Sequence, residues 1–106
     1  SAPIAYCTSD GISLNDSTES VFIDGDEVQL TPMEYRFLRY LMTHPDRPIS
    51  NKTLLNEVWN YREDTNTSIV QSIVRRIRLK IEADPSDPAY LISVWGIGYK
   101  FQSQPS

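Results

Sequence analysis

The 106-residue chain holds one cysteine, one histidine and four glycines, so it is short of the residues that most often build reactive centres. Cys7 alone cannot close an internal disulfide, and there is no second thiolate in the chain to share a metal. His44 alone excludes a multi-histidine metal site and leaves the serines a single imidazole to draw on as a base; it reads better as a helix-end residue before Pro45. No nucleophile elbow is present. Gly96-Ile97-Gly98 is the one close pair of glycines, and it stands in an expected hairpin instead of the strand-turn-helix setting a phosphate loop requires. No apolar run approaches the roughly 20 residues that span a bilayer. Ser1-Ala2-Pro3-Ile4-Ala5 has no basic segment followed by an apolar stretch, so no signal peptide is expected. These absences point to a cytoplasmic domain that is not an enzyme and takes no cofactor or metal.

Positive charge is scarce too. A net charge of −4 argues against a nucleic-acid partner until its distribution is considered. Residues 1–64 carry five bases against eleven acids, whereas residues 65–106 carry five bases against three acids. Within 65–81 stand Arg75, Arg76, Arg78 and Lys80 with no acid among them, and within 10–27 stand six acids with no base. The spacing of those acids does not match a calcium-binding EF-hand loop, so a solvated acidic sheet face is the better reading. One negative end and one positive face are expected.

What is present suits a single globular domain: 40% hydrophobic and 23% charged residues in a chain long enough to bury a core. The domain is expected over 11–103, with 1–10 as a tail, linker or added edge strand and 104–106 as a C-terminal tail. Ile12–Leu14, Val21–Ile23 and Glu27–Leu30 read as short strands, and Asp24-Gly25 is a strong hairpin signal. At Thr31-Pro32-Met33-Glu34 the pattern changes to a capping box with proline at the first helical position, opening a helix to about Thr43. Ser50 can cap a second, short helix through about Trp59, and Asn60–Asn66 is a polar loop. A third helix spans about Thr67 to Glu82. At about 100° per residue its Val70, Ile73, Val74, Ile77 and Ile81 form one buried stripe, and Ser68, Gln71, Ser72, Arg75, Arg76 and Leu79 take the opposite arc. Leu91–Val94 and Tyr99–Phe101 read as a closing hairpin around Trp95-Gly96-Ile97-Gly98.

Three helices followed by a hairpin, with the third helix basic on its exposed face, is the order of a winged helix-turn-helix, an α+β fold. A helix about 10–12 Å across fits a major groove about 12 Å wide. Arginines on its outer face can neutralise phosphates or pair with guanine, Gln71 can pair with adenine, and Ser68 and Ser72 permit close approach.

Leu30-Thr31-Pro32-Met33-Glu34-Tyr35, Ile49-Ser50, Leu54-Leu55, Val58-Trp59, Arg76-Ile77-Arg78-Leu79-Lys80-Ile81 and Val94-Trp95-Gly96-Ile97-Gly98-Tyr99-Lys100-Phe101, in this order and spacing, resemble the OmpR/PhoB-type effector domain. The likeness runs from about Ile12 to Phe101. It implies an N-terminal four-stranded antiparallel sheet, three helices and a C-terminal wing, as the DNA-binding output half of a bacterial two-component response regulator with a phosphorylated receiver domain upstream. It implies binding to double-stranded promoter DNA as a homodimer on direct repeats. Arg75, Arg76 and Arg78 match positions that contact phosphates or bases, Trp59 an indole that donates to a phosphate, Ser93 a wing hydroxyl and Tyr99 a backbone contact. The loop Asn60, Tyr61, Arg62, Glu63, Asp64, Thr65 and Asn66 matches the segment that engages RNA polymerase in several members. The DNA-contacting set expected is therefore Trp59, Thr67, Ser68, Gln71, Ser72, Arg75, Arg76, Arg78, Ser93, Trp95 and Tyr99.

The chain departs from the family pattern in places. Ser68 stands where Arg is common, Ile73 where His is common, Gln71-Ser72 where an Asp-Val pair is common, and Trp95 where some members carry a minor-groove Arg. Fewer ionic contacts are expected than in strongly basic relatives. Arg75 and Arg76 have a plain rival role as a solvated helix face. Arg78 and Lys80 flank the buried stripe, where long side chains often lie over a core. Trp95 fits either a wing-tip DNA contact or a protein interface. The competing overall reading is a winged-helix module that binds protein through the acidic sheet or the loop after Trp59.

Overall fold

The computed structural model describes residues 6–7, 11–59 and 68–102, with backbone alone for Tyr6, Cys7 and Trp59. Strands β1 (Tyr6–Cys7), β2 (Ile12–Asn15), β3 (Ser20–Ile23) and β4 (Asp26–Gln29) form an antiparallel sheet in sequential order. Of the roles open to the N-terminal segment, residues 6–7 thus take that of an added edge strand. Ile23 pairs with Asp26, so Asp24-Gly25 is a two-residue turn. Both turn residues have positive φ, 52° and 90°, the geometry that matches the twist of the flanking strands. The sheet turns Ile12, Leu14 and Val21 inward, where they are fully buried.

Helix α1 (Pro32–Met42) opens on the expected capping box: Thr31 Oγ1 accepts from the Glu34 N–H at 3.2 Å, and Glu34 Oε1 accepts from the Thr31 N–H at 3.0 Å. Its Phe37, Leu38, Leu41 and Met42 are buried together with the sheet's inner face. Asp16, in the turn after β2, fastens sheet to helix by accepting from the Tyr35 hydroxyl and from Arg39 Nε at 3.1 Å. Burial and the hydrogen bond to the Asp16 carboxylate push the Tyr35 phenol well above its ordinary value.

Ser50 caps α2 as expected, accepting from the Thr53 N–H at 3.1 Å. The helix runs α over Asn51–Leu54 and then widens into a π-helical turn, Leu55–Trp59. Helix α3 (Ser68–Ile81) buries Val70, Ile73, Val74, Ile77 and Ile81, the five residues of the expected stripe. Strands β6 (Leu91–Val94) and β7 (Gly98–Phe101) make the closing hairpin.

One strand lies outside the sequence expectation. β5 (Ile49–Ser50) pairs antiparallel with β7, giving a three-stranded sheet ordered β5-β7-β6. Two residues carry no readable alternation, which is why this element escapes a sequence pattern. Its trace in the sequence is Gly98, where any Cβ would fall 2.1 Å from the Ile49 carbonyl oxygen, so only glycine lets the strands meet.

Candidate nucleic-acid interface

The outer face of α3 is laid out by its own periodicity. Because the apolar stripe faces α1 and the core, Ser68, Gln71, Ser72, Arg75, Arg76 and Leu79 are left exposed, as the sequence predicts. Among the described residues, neither Arg75 nor Arg76 is engaged in an ion pair, so both guanidiniums keep their donors for a partner.

Arg78 is arranged differently. Its Nε donates to the Leu91 carbonyl at 3.1 Å and its Nη2 to Ser93 Oγ at 3.0 Å, and its guanidinium carbon lies 5.9 Å from the centre of the Tyr99 ring. Three expected contact residues are therefore joined to one another, and they tie the third helix to the hairpin. A five-donor guanidinium with two donors so engaged still has others to offer.

A second tie lies one turn further along the chain. The Glu82 side chain, buried just past the end of α3, accepts from the backbone N–H groups of Ala89, at 2.8 Å, Tyr90, at 3.1 Å, and Leu91, at 2.8 Å. Glu82 thereby clamps the start of β6 to the helix. Sequence reading places Glu82 only as a helix end, since nothing local distinguishes a buried carboxylate from a surface one.

Lys80, which flanks the stripe, turns inward to Glu34. Its Nζ lies 2.6 Å from Glu34 Oε1, and the Glu34 side chain is 2% exposed. Burial alone would raise the Glu34 carboxyl. The Lys80 and Thr31 hydrogen bonds, with the nearby ammonium charge, outweigh burial and hold it below its usual value. Lys80 thus joins α3 to α1.

At the hairpin tip the Ile97 N–H donates to the Val94 carbonyl at 3.0 Å, closing a turn that projects Trp95 into solvent at 98% exposure. Beside it Ile97 is 51% exposed. Gln71, Ser93, Trp95 and Tyr99 line one concavity of about 400 Å³, so the wing tip and the outer face of α3 open to the same side. Asn51, which sequence reading misses, lines it as well, and its Oδ1 is the one buried side-chain oxygen left without a hydrogen-bond partner among the described residues. A neighbouring groove of about 380 Å³ runs between Gln71, Arg75, Arg78 and Tyr99. Thr67, the side chain of Trp59 and the loop from Asn60 to Asn66 lie outside the described residues.

A helix-turn-helix whose third helix presents an acid-free polar face beside a β-hairpin is a winged helix-turn-helix domain. A protein-family model described as "Transcriptional regulatory protein, C terminal" matches residues 25–101. A probable transcriptional regulatory protein of Picosynechococcus is 42% identical over 90 residues, which are 85% of this chain and 36% of that protein. The response regulator DrrB, an OmpR/PhoB homolog from Thermotoga maritima, superposes with a TM-score of 0.79 at 27% identity, over 92% of this chain and 43% of that one. The DNA-binding domain of the response regulator AdeR, solved in complex with an intercistronic region, superposes with a TM-score of 0.73 at 26% identity, over 89% of this chain and 95% of that one. The chain belongs to the transcriptional regulatory protein C-terminal family, the DNA-binding output domains of OmpR/PhoB-type response regulators, which are not enzymes. It spans less than two fifths of the length of the curated relatives it matches. No described helix is long and apolar enough to cross a membrane.

Proposed function

We propose that this domain binds double-stranded promoter DNA with α3 in the major groove and the β6–β7 hairpin on the adjacent minor groove or backbone. The observation that carries this reading is the outer face of α3, where Gln71, Ser72, Arg75 and Arg76 stand exposed with no acid between residues 65 and 81. Arg75 and Arg76 neutralise phosphates or read guanine, Gln71 reads a base edge, and Ser68, Thr67 and Ser72 permit the close approach. Arg78, Ser93 and Tyr99 act as a unit that places a phosphate between helix and wing, and the Trp59 indole donates to a second one. The parent protein carries a receiver domain upstream, as the greater length of the relatives supports, and its phosphorylation promotes homodimers on direct repeats. The loop Asn60–Asn66 faces RNA polymerase. A promoter target makes the protein cytoplasmic.

The test is an amide-shift NMR titration of the domain with a mixed-sequence duplex at low salt. Shifts clustered in 67–80 and 93–99 are expected. Their absence from both segments up to millimolar duplex would remove DNA as the partner of this face. About five phosphate contacts predict a log–log salt slope near −4 to −5 per monomer.

A further inference from the structure

The wing tip carries chemistry that an electrostatic account of the interface leaves unused. Trp95 is almost fully exposed, Ile97 beside it is half exposed, and no charged residue occurs from Leu91 to Tyr99. An indole held bare in water at the end of a closed turn gains nothing from the fold, since it packs on no core. The turn itself is fixed by the Ile97 N–H to Val94 carbonyl bond, and the hairpin behind it by Arg78 and Glu82. The tip is therefore a rigid apolar projection on a firm base. It shares a concavity with Gln71 of α3, so whatever surface α3 engages also meets the tip.

We propose that Trp95, backed by Ile97, is an apolar wedge that enters the minor groove and partly unstacks one base step, bending the duplex toward the major groove of that step. This rests on the DNA-binding reading above and names what the wing recognises: the deformability of a step, not its charge or base edges. An indole can replace part of the stacking it disrupts, and pyrimidine–purine steps such as TA and CA open most readily. An arginine at the tip would instead seek the negative potential of a narrow, stiff A-tract groove. Wedge and arginine thus favour opposite kinds of sequence at the same place, and this chain, with Trp95, is built for the flexible one.

The experiment uses duplexes recovered from a random pool by selection on the domain, labelled at both ends for energy-transfer measurement of bending. Trp95→Ala is expected to weaken binding about tenfold and to abolish the bend, while leaving the slope of affinity against salt unchanged. Trp95→Phe is expected to restore most of the bend, and replacing the TA or CA step under the wing by AA should weaken the wild type but not Trp95→Ala. Because Trp95 packs on nothing, both variants should unfold at the wild-type denaturant concentration. A bend that persists in Trp95→Ala, or an affinity that does not change, overturns the wedge. If instead selection on the domain enriches no duplex over the starting pool, the DNA-binding reading itself fails, and the wedge with it.

Discussion

The N-terminal sheet and the C-terminal helix–hairpin unit are both antiparallel, both short-stranded and both packed against α1, yet their outer surfaces are opposites. The sheet and its turns hold Asp16, Asp24, Asp26 and Glu27, exposed, and among the described residues no large hydrophobic residue is exposed there. The described chain shows Leu79, Trp95 and Ile97 as its large exposed hydrophobics, all three in the second unit, beside Arg75 and Arg76. Exposed apolar groups cost solubility unless something covers them, and free guanidiniums attract anions. The difference separates a scaffold from a contact surface. It also shows how each unit is stiffened: the sheet by strand register and a tight turn, the helix–hairpin pair by the Arg78 and Glu82 side chains that hold one element's backbone to the other.

The two units are joined through α1, and the largest effect should come from breaking that joint. Glu34→Ala removes the acceptor of the Thr31 N–H and the partner of the Lys80 ammonium, a loss of about 2 kcal/mol in urea denaturation. Acid gives an independent check. Because the folded carboxyl lies below the ordinary value of 4.5, its ionised form stabilises the fold above that pH and ceases to do so as pH falls through the lower folded value. The wild type should therefore lose stability as pH falls below 4.5 and on through the lower folded value, and its advantage over Glu34→Gln should shrink over the same descent. An advantage that stays constant with pH would assign Glu34 a purely packing role.

Much of this division is legible in the sequence. The stripe of α3, the capping box, the Asp24-Gly25 turn and the exposed arc with Arg75 and Arg76 all follow from local periodicity and turn chemistry, which a linear text records well. What escapes is long-range. Arg78 to Ser93 spans 15 residues, Lys80 to Glu34 spans 46, and β5 is a two-residue strand whose partner stands near the other end of the chain. In sequence, Arg78 and Lys80 flank the buried stripe and fit either the basic face or a place over the core. Only folding reveals that Lys80 belongs to the core joint and that Arg78 braces the wing, leaving Arg75 and Arg76 as the pair with uncommitted charge.

That pair sharpens the comparison next. Arg76→Ala should weaken DNA binding by about 1–3 kcal/mol if the guanidinium reads a base, with the loss confined to sequences bearing its preferred pair. If it touches phosphate alone, the loss should be uniform across sequences and the salt slope should fall by about 1. Stability should stay within about 0.5 kcal/mol of the wild type, as for other exposed positions. Unchanged affinity in a binding titration would remove Arg76 from the contact surface.

The smallest effect belongs to the acidic turn. Asp24→Asn with Asp26→Asn deletes two exposed negative charges, and asparagine tolerates the positive φ of position 24 at least as well as aspartate does. Folding should be unaffected. Since this turn belongs to the N-terminal sheet and not to the helix–hairpin unit, its charges are expected to reach the DNA only as a long-range field, which salt screens within about 8 Å at physiological strength. DNA affinity should rise no more than severalfold at low salt and not at all at 0.15 M, roughly the physiological value. A gain that survives high salt would mean that the turn lies against DNA or a neighbouring domain, and the clean separation of scaffold from contact surface would be lost.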